Sequence, residues 1–361
     1  MRAFLILLIG ICLALGCSSS SSNPLPPPDA GARDGSADAL REELDGRMNA
    51  AVAKGFSGTV LVTASGNRLL AKGYGLADRA KNVPNTIDTA FDFGSVLKEL
   101  TAAAIFKLAG EGKLALDDAL GTFFKAVPAD KAKITVLQLV LHRAGLEAYH
   151  DTEGDFEPMT RLEARRRILA QPLKFEPGTQ ESYSNSGYTL LADIVEIVST
   201  RAYTDYLREQ LFVPAKMQQS GFYGDPIWQS VDTAIGYGAD TFGRNDPAEW
   251  PYSWALVGNG GLVTTVTDLE RWLTAVWAGS VLPPPARDAY RTQFLATTAY
   301  DFNGKKVYGA AGGGDFGLGG IALDCPEANT RVILATNTLD PERFHVERFA
   351  RELTDLVLSW K

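Results

Sequence analysis

The sequence predicts an α+β fold of two lobes, in which both ends of the folded chain build a sheet and the middle forms a helical lobe. Two observations predict it. β-rich runs with hairpin spacing lie near the start and near the end of the chain, whereas the middle shows repeated helix-like apolar spacing. With 361 residues, 45% of them apolar, the chain is long enough for one large core or two subdomains.

The N-terminal part of the fold reads as a helix followed by a hairpin. Apolar residues recur at every fourth position over 40–52, which indicates an amphipathic helix that packs on the fold. Residues 57–63 and 68–74 are two β-rich runs on either side of Ser65-Gly66-Asn67, a sequence typical of a hairpin turn. The sheet is therefore expected to begin here.

The middle and the C-terminal part complete the prediction. Six segments carry helix-like apolar spacing: 97–108, 136–141, 160–169, 188–198, 203–211 and 267–277. Residues 318–323 and 330–336 indicate a second hairpin, and a helix follows it to Trp360. The long irregular segment 224–253 either covers a cleft between the lobes or is a structural loop packed on its own aromatic residues.

The N-terminus indicates export. Arg2 precedes a strongly apolar run that is too short to span a bilayer comfortably, so residues 1–16 are predicted to be a signal peptide. Gly16-Cys17 resembles a bacterial lipobox, which predicts a lipid on Cys17, although an ordinary signal peptide with an incidental cysteine is the alternative. Residues 17–38 are rich in Ser, Pro, Gly and Ala and are predicted to be a flexible tether.

The remaining chain, 39–361, is predicted to be one folded unit. Its sheet lobe is expected to comprise about 39–95 and 290–361, and its helical lobe about 99–285. The net charge of −8 disfavours nucleic-acid binding, which needs a concentrated basic face. Three cysteines exclude a disulfide framework, and three histidines leave little for a metal site, so neither a metal nor a cofactor is expected. Cys325 is expected to be a small buried hydrophobe.

Phe93-Gly94-Ser95-Val96-Leu97-Lys98 places a serine at the mouth of a helix and a lysine three residues later. Positions i and i+3 share a helix face, so the hydroxyl and the amine can meet. By default the serine would cap the helix and the lysine would be solvated. A buried lysine, however, loses its proton near neutral pH and can activate the serine as a nucleophile, while the Ser95 N–H faces the developing oxyanion.

Tyr183 and Asn185 stand in a turn-rich stretch before a helix. Alone they would read as a buried tyrosine and a turn asparagine. Together with Ser95 and Lys98, the phenol becomes a candidate proton shuttle to the leaving group, and the amide a candidate positioner of Lys98 or of a substrate carbonyl.

These residues resemble the serine β-lactamase and penicillin-binding-protein-like superfamily, in particular its branch of class C β-lactamases, D,D-carboxypeptidases and related esterases. The resemblance runs from about Ser57 to the C-terminus. It rests on three blocks in matching order: 94–102, 175–188 and 260–265 leading into Asp268-Leu269. It implies a five-stranded antiparallel sheet flanked by helices beside an all-helical lobe, and an acyl-enzyme mechanism with Ser95, Lys98, Tyr183 and Asn185 as the catalytic residues.

The third motif of this superfamily is Lys-Thr-Gly, or His-x-Gly in esterase-like members. Its best match here is Ala311-Gly312-Gly313, which lacks the basic residue. The resemblance implies that Gly312 and Gly313 line the substrate site and that the backbone N–H of Gly314 is the second oxyanion donor. Without the cation, strong β-lactamase activity and recognition of a peptide carboxylate are disfavoured, whereas acyl transfer on neutral esters or amides is permitted.

The sequence therefore predicts an exported, membrane-tethered serine hydrolase that acts on an ester, amide or lactam through a serine acyl-enzyme. The alternatives are a catalytically silent, penicillin-binding-like module of the cell envelope, and a weak β-lactamase or D,D-carboxypeptidase. The expected partners are a small-molecule or short-peptide substrate and, through the lipid on Cys17, a membrane; no nucleic acid is expected. The predicted protein is a monomeric lipoprotein of the cell envelope, facing the periplasm or in the outer membrane.

Overall fold

The computed structural model describes residues 36–238, 244–314, 316–340 and 344–360. The predicted signal peptide (1–16), the predicted lipidation site Cys17 and nearly all of the predicted tether (17–38) lie outside these residues. Within the described ranges, no helix combines the length and the apolar character that crossing a bilayer requires.

Helices and strands follow the predicted order. The helices are α1 (Ala37–Ala53), α2 (Leu97–Gly110), α3 (Leu120–Phe123), α4 (Val136–Val140), α5 (Arg161–Ala170), α6 (Asn185–Ser199), α7 (Tyr203–Leu207), α8 (Val213–Ala215), α9 (Val266–Ala278), α10 (Pro284–Ala289) and α11 (Val346–Ser359). The strands are β1 (Gly58–Ala64), β2 (Asn67–Tyr74), β3 (Leu76–Asp78), β4 (Val83–Pro84), β5 (Phe91–Asp92), β6 (Val263–Thr264), β7 (Tyr300–Phe302), β8 (Lys305–Gly313), β9 (Gly319–Cys325) and β10 (Thr330–Thr336).

The main sheet is antiparallel and has the order β2-β1-β10-β9-β8-β7. It contains the two predicted hairpins, and their edges meet because β1 pairs with β10. The five strands implied by the resemblance become six, since the three-residue strand β7 adds to the start of β8. The α+β prediction is confirmed, and the two ends of the folded chain lie side by side in one sheet.

The sheet divides two apolar cores, because successive side chains of a strand point to opposite faces. On β1, Val60 and Val62 belong to the outer core, which α1 and α11 cover, and Leu61 belongs to the inner core with the helical lobe. Cys325 is fully buried in the outer core, as predicted, and burial raises the pKa of its thiol. The inner face of the sheet therefore faces the helical lobe.

Helix α2 runs through the centre of the helical lobe and is buried along nearly its whole length. Such a helix needs partners for its few polar groups. The Thr101 hydroxyl meets the Tyr203 hydroxyl at 2.6 Å and donates to the Gly258 carbonyl at 2.8 Å. These bonds satisfy the Thr101 hydroxyl inside the helical lobe, one turn after the predicted Lys98.

The aromatic residues of segment 224–253 pack against aromatic residues elsewhere in the chain, which decides neither of the two alternatives. Trp250 is 1% exposed, and its ring centroid lies 5.0 Å from those of Tyr223, Phe156 and Phe316. The Trp228 indole N–H donates to the Phe222 carbonyl at 2.7 Å. We call Phe156, Tyr223, Trp250 and Phe316 the aromatic cluster.

Candidate active site

Ser95 lies on a short 3-10 turn, Gly94–Val96, that leads directly into α2. Gly94 opens this turn with φ of +46°, a left-handed conformation that glycine adopts without strain. The side chain of Ser95 is half-buried, and its N–H belongs to the first turn of the helix, where backbone donors have no intrahelical acceptor. The local geometry thus exposes both the hydroxyl and the N–H of one residue.

Three of the four predicted catalytic side chains meet at the hydroxyl of Ser95. Lys98 Nζ lies 2.9 Å from Ser95 Oγ, and the phenolic oxygen of Tyr183 lies 2.7 Å from it. Lys98 Nζ also donates to the Asn259 carbonyl at 2.5 Å. The hydroxyl therefore stands between an amine and a phenol, each within the reach of a proton transfer.

Burial shifts the pKa values of these two groups in opposite directions. Desolvation lowers the pKa of Lys98 well below its ordinary value, and the Asp155 carboxylate opposes this shift only in part. Desolvation raises the pKa of Tyr183, and the hydrogen bond with Ser95 counteracts it. Because the charged forms are disfavoured, the neutral amine and the neutral phenol are the stable forms.

His142 supports this arrangement from behind. Its ring centroid lies 4.7 Å from that of Tyr183, and its Nδ1 accepts the Ser184 N–H at 3.1 Å. Burial, with a smaller contribution from Lys98, lowers the pKa of His142 to about 3, so the imidazole is neutral at physiological pH. The histidine packs against the phenol and brings no charge to the site.

Among the described residues, the side chain of Asn185 makes no hydrogen bond to Ser95, Lys98 or Tyr183. It is the first residue of α6, and its backbone N–H donates to the Ala148 carbonyl at 2.8 Å. Its side-chain oxygen is buried without a hydrogen-bond partner among the described residues, and Lys98 Nζ is bonded to the Asn259 carbonyl. The role predicted for the Asn185 amide, to position Lys98 or a substrate carbonyl, stays a prediction.

Strand β8 borders the site in a register one residue away from the predicted one. Ala310 lies in the inner core, whereas Ala311 lies in the outer core, so Ala310 and Gly312 face Ser95 and Ala311 points away. A Cβ atom at Gly312 would lie 2.3 Å from Ser95 N. Ala310 therefore occupies the position at which the Lys-Thr-Gly or His-x-Gly motif carries its basic residue.

The same register changes which residue supplies the second oxyanion donor. The Gly314 N–H donates to the Leu318 carbonyl on the neighbouring chain segment at 3.1 Å, so Gly314 does not point at the site as predicted. Because N–H groups alternate along an antiparallel strand, the N–H of Gly313 points to the opposite edge of β8. A Cβ atom at Gly94 would lie 2.8 Å from Gly313 N, which puts that donor beside the nucleophile turn.

Sequence reasoning missed several groups of the site. Asn259 acts through its backbone carbonyl, and only its position next to the noted Gly260-Gly261 block could have drawn attention to it.

Lys305 and Lys306 do not replace the missing cation, since they lie at the far end of β8, where Lys306 pairs with Asp301 at 3.6 Å. Among the described residues, no group of three potential ligands is placed to hold a metal ion.

The fold and the site define a serine hydrolase of the β-lactamase type. A family model described as Beta-lactamase matches residues 40–355, and the chain belongs to this family. The chain is 31% identical over 227 residues to a D-aminopeptidase of Brucella anthropi, covering 61% of this chain and 42% of that protein. It is 26% identical over 272 residues to a teichoic acid D-alanine hydrolase of Staphylococcus aureus, covering 73% of this chain and 66% of that protein.

The fold has relatives among solved structures. FmtA from Staphylococcus aureus superposes with a TM-score of 0.74 at 21% identity, and the match covers 90% of both chains. This match supports the fold, and the family model over residues 40–355 confirms the predicted superfamily. The chain spans less than half the length of several curated relatives, the D-aminopeptidase among them.

Proposed function

We propose that this protein is an exported serine hydrolase that forms an acyl-enzyme on Ser95 with an ester or amide of a D-amino acid. The observation that carries the proposal is the position of Ser95 Oγ, 2.9 Å from the Lys98 amine and 2.7 Å from the Tyr183 hydroxyl. Membership in a family of serine hydrolases supports it.

The opposite pKa shifts of Lys98 and Tyr183 make the lysine the base and the tyrosine the acid. Lys98, neutral and bonded to the Asn259 carbonyl, accepts the proton of Ser95 through its lone pair while Oγ bonds to the substrate carbonyl carbon. The N–H groups of Ser95 and Gly313 stabilise the negative charge on the carbonyl oxygen.

Tyr183 is the proton donor on the leaving-group side. Because its pKa is raised, the phenol keeps its proton until the carbon–oxygen or carbon–nitrogen bond breaks, and Lys98 then returns to the phenolate the proton that it took from Ser95. The leaving alcohol or amine departs protonated. Water then attacks the acyl ester, with Lys98 and Tyr183 moving the proton in reverse, and Ser95 is restored.

Two observations support the substrate class. Ala310 puts no cation where other family members hold a carboxylate, so a substrate with a free carboxylate on the leaving side gains nothing there. Two relatives carry the names D-aminopeptidase and teichoic acid D-alanine hydrolase, both of which describe hydrolysis at a D-amino acid.

The test uses the full chain in detergent with p-nitrophenyl acetate, D- and L-alanine p-nitroanilide, a D-Ala-D-Ala peptide and a chromogenic cephalosporin. We expect turnover of the acetate ester and preference for the D-anilide, loss of both in Ser95→Ala, and a fall of about 10²- to 10⁴-fold in Lys98→Ala. Lys107→Ala is the matched control, since Lys107 lies on the same helix and donates to the Val281 carbonyl, away from the site.

The alternative function, a binding module without turnover, rests on Ala310 and the missing cation. It predicts that a fluorophosphonate probe and all five substrates fail to react at Ser95. Equal labelling of wild type and Ser95→Ala by that probe would refute the acyl-enzyme proposal.

We further propose that a lipid on Cys17 anchors the protein to a membrane, supported by the signal-like run of residues 1–16 and the tether composition of 17–38. Metabolic labelling with an alkyne fatty acid should mark wild type and Cys12→Ser equally and leave Cys17→Ser unmarked. Labelling retained in Cys17→Ser, or absent from wild type, would contradict the anchor.

A further inference from the structure

Asp92 is a buried carboxylate directly before the nucleophile turn. It ends β5, which pairs with β6, and it is 5% exposed. One carboxylate oxygen accepts the Gly94 N–H at 2.8 Å, and the other accepts the Tyr223 hydroxyl at 2.8 Å. A buried charge of this kind is costly unless its hydrogen bonds serve a purpose.

The bond to Gly94 acts on the geometry of the oxyanion donors. Gly94 holds the left-handed φ of +46° from which the turn presents the Ser95 N–H. The same residue lies against the opposite donor, since a Cβ atom on it would be 2.8 Å from Gly313 N. Any rotation of the Gly94 peptide therefore changes the separation of the two donors.

We infer that Asp92 is a positioning residue, held by the Tyr223 hydroxyl, that fixes the Gly94 peptide and thereby the spacing of the Ser95 and Gly313 N–H groups. The inference rests on the proposed acyl-transfer function. Asp92 touches neither the nucleophile nor the substrate, and it acts only through the Gly94 bond.

Tyr223 connects this hydrogen bond to the aromatic cluster and to segment 224–253. Its ring lies 5.0 Å from that of Trp250 and 6.1 Å from that of Phe156, both in the aromatic cluster, and 6.0 Å from that of Tyr252. The hydroxyl of Tyr223 is the polar end of a side chain whose ring packs among these aromatic rings. The other members of the aromatic cluster thereby hold the Tyr223 hydroxyl against Asp92.

The charge of Asp92 gives the inference a pH signature. Three groups face it: Tyr223, Tyr252 and the Asp155 carboxylate. Burial raises the pKa of Asp92 to about 7, Gly94 and Tyr223 oppose the shift, and Asp155 adds to it. Ionised Asp92 accepts both hydrogen bonds. As pH falls through about 7, protonation turns one of its oxygens into a donor and weakens this bridge.

The kinetic test measures kcat and KM for p-nitrophenyl acetate from pH 5 to pH 9, with the full chain. We expect Asp92→Ala to lower kcat about 10- to 100-fold with KM nearly unchanged, because misplaced oxyanion donors act on the transition state. In wild type, kcat should fall as pH drops through about 7, which gives the pH profile an acidic limb. Asp92→Asn keeps an oxygen for Gly94, so it should recover most of kcat, and because it cannot titrate it should lose this acidic limb. Tyr223→Phe removes a bond to the ionised form and should move that limb to higher pH.

Tyr203→Phe is the matched control, because it removes another buried phenol whose partner is the Thr101 hydroxyl. It should leave the pH profile unchanged. A merely structural role of Asp92 would lower stability in all variants alike and would not move the limb.

A second readout needs no turnover. Hydrogen exchange of peptides that contain Gly94 should be slow in wild type, faster in Asp92→Ala and slow again in Asp92→Asn. If Asp92→Ala does not fold, the inference is decided by Tyr223→Phe, through its hydrogen exchange at Gly94 and the position of its acidic limb. Unchanged exchange at Gly94 overturns the inference even in an active enzyme, whereas an inactive wild type with the expected exchange pattern overturns only the proposed function.

Discussion

Lys98 is only 5% exposed, although a lysine in the first turn of a helix is normally solvated. Its environment removes the charge instead of pairing it, since the contact at 2.5 Å is to a neutral carbonyl, that of Asn259. A neutral amine beside a hydroxyl is a base, and the raised pKa of Tyr183 provides the matching acid. The chemistry of this site thus follows from burial more than from ion pairing.

Ala310 is expected to set the preference against carboxylates. Ala310→Lys points an amine into the site, where it should attract a substrate carboxylate and lower the pKa of Tyr183. We expect the ratio of kcat/KM for a D-Ala-D-Ala peptide to that for its C-terminal amide to rise about tenfold or more. Steady-state kinetics on the two peptides measure this ratio.

Ala311→Lys is the control for that prediction. The side chain of Ala311 points into the outer core beneath α1 and α11, so the new amine is buried away from the site and should lower the free energy of unfolding by about 1–3 kcal/mol. It should leave the peptide ratio unchanged. An equal change of the ratio in both variants would contradict the register of β8.

At the scale of single residues, the sequence predicted Ser95, Lys98 and Tyr183 because spacing and order identify side chains. It named Gly313 only as a lining residue, and it could not predict Gly313 as the oxyanion donor or Asn259 at all, because both act through backbone groups that any residue type carries.

At the scale of elements, predictability follows the strength of the side-chain pattern. Helix α11 and the β1–β2 hairpin have clear apolar periodicity and were predicted within a few residues. Strand β8 reads Lys-Lys-Val-Tyr-Gly-Ala-Ala-Gly-Gly, and its small residues distinguish the two faces poorly. A shift of one residue exchanges the faces, so the predicted motif put Ala311 and Gly314 where Ala310 and Gly313 belong.

Gly312 is required by the close approach of β8 to the nucleophile turn. In Gly312→Ala the new Cβ would lie 2.2 Å from the Phe93 carbonyl oxygen and 2.3 Å from Ser95 N, so the strand must move. We expect turnover of p-nitrophenyl acetate to fall at least about 100-fold and the protein to lose about 1–3 kcal/mol of stability. Kinetics and urea unfolding measure the two effects.

Gly314→Ala provides the comparison, because its Cβ would meet nothing closer than a Phe316 ring carbon at 3.7 Å. We expect turnover within about threefold of wild type, since a contact at that distance is ordinary packing. Greater damage from Gly314→Ala than from Gly312→Ala would restore Gly314 as the oxyanion donor.

At the scale of the whole molecule, the two lobes meet over buried carboxylates. A cavity of about 10 Å³, enough for one water molecule, lies between α2, α9 and the sheet, and Glu99, Trp272, Tyr290 and Asp324 line it. Burial raises the pKa of Glu99 to about 7 and that of Asp324 to about 6, and each is beside the residues that join the lobes. Glu99 therefore keeps its proton up to about pH 7, whereas Asp324 is ionised at neutral pH and pairs with Arg331 at 2.9 Å.

Glu99→Gln is expected to become more stable relative to wild type as pH rises. Folded Glu99 keeps its proton up to about pH 7, whereas unfolded Glu99 releases it near its ordinary pKa of 4.5, so Glu99 costs the wild type stability as pH rises through this window. Glutamine has no proton to lose. The difference in unfolding free energy, variant minus wild type, should increase from pH 5 to pH 8 by an amount on the order of 2 kcal/mol in urea titrations.

Glu111→Gln is the control, because Lys113 and Lys107 outweigh burial and lower the pKa of Glu111, so its difference in unfolding free energy should not increase. A flat difference for Glu99→Gln would mean that Glu99 is already ionised in the folded protein at pH 5, so that burial does not hold its proton.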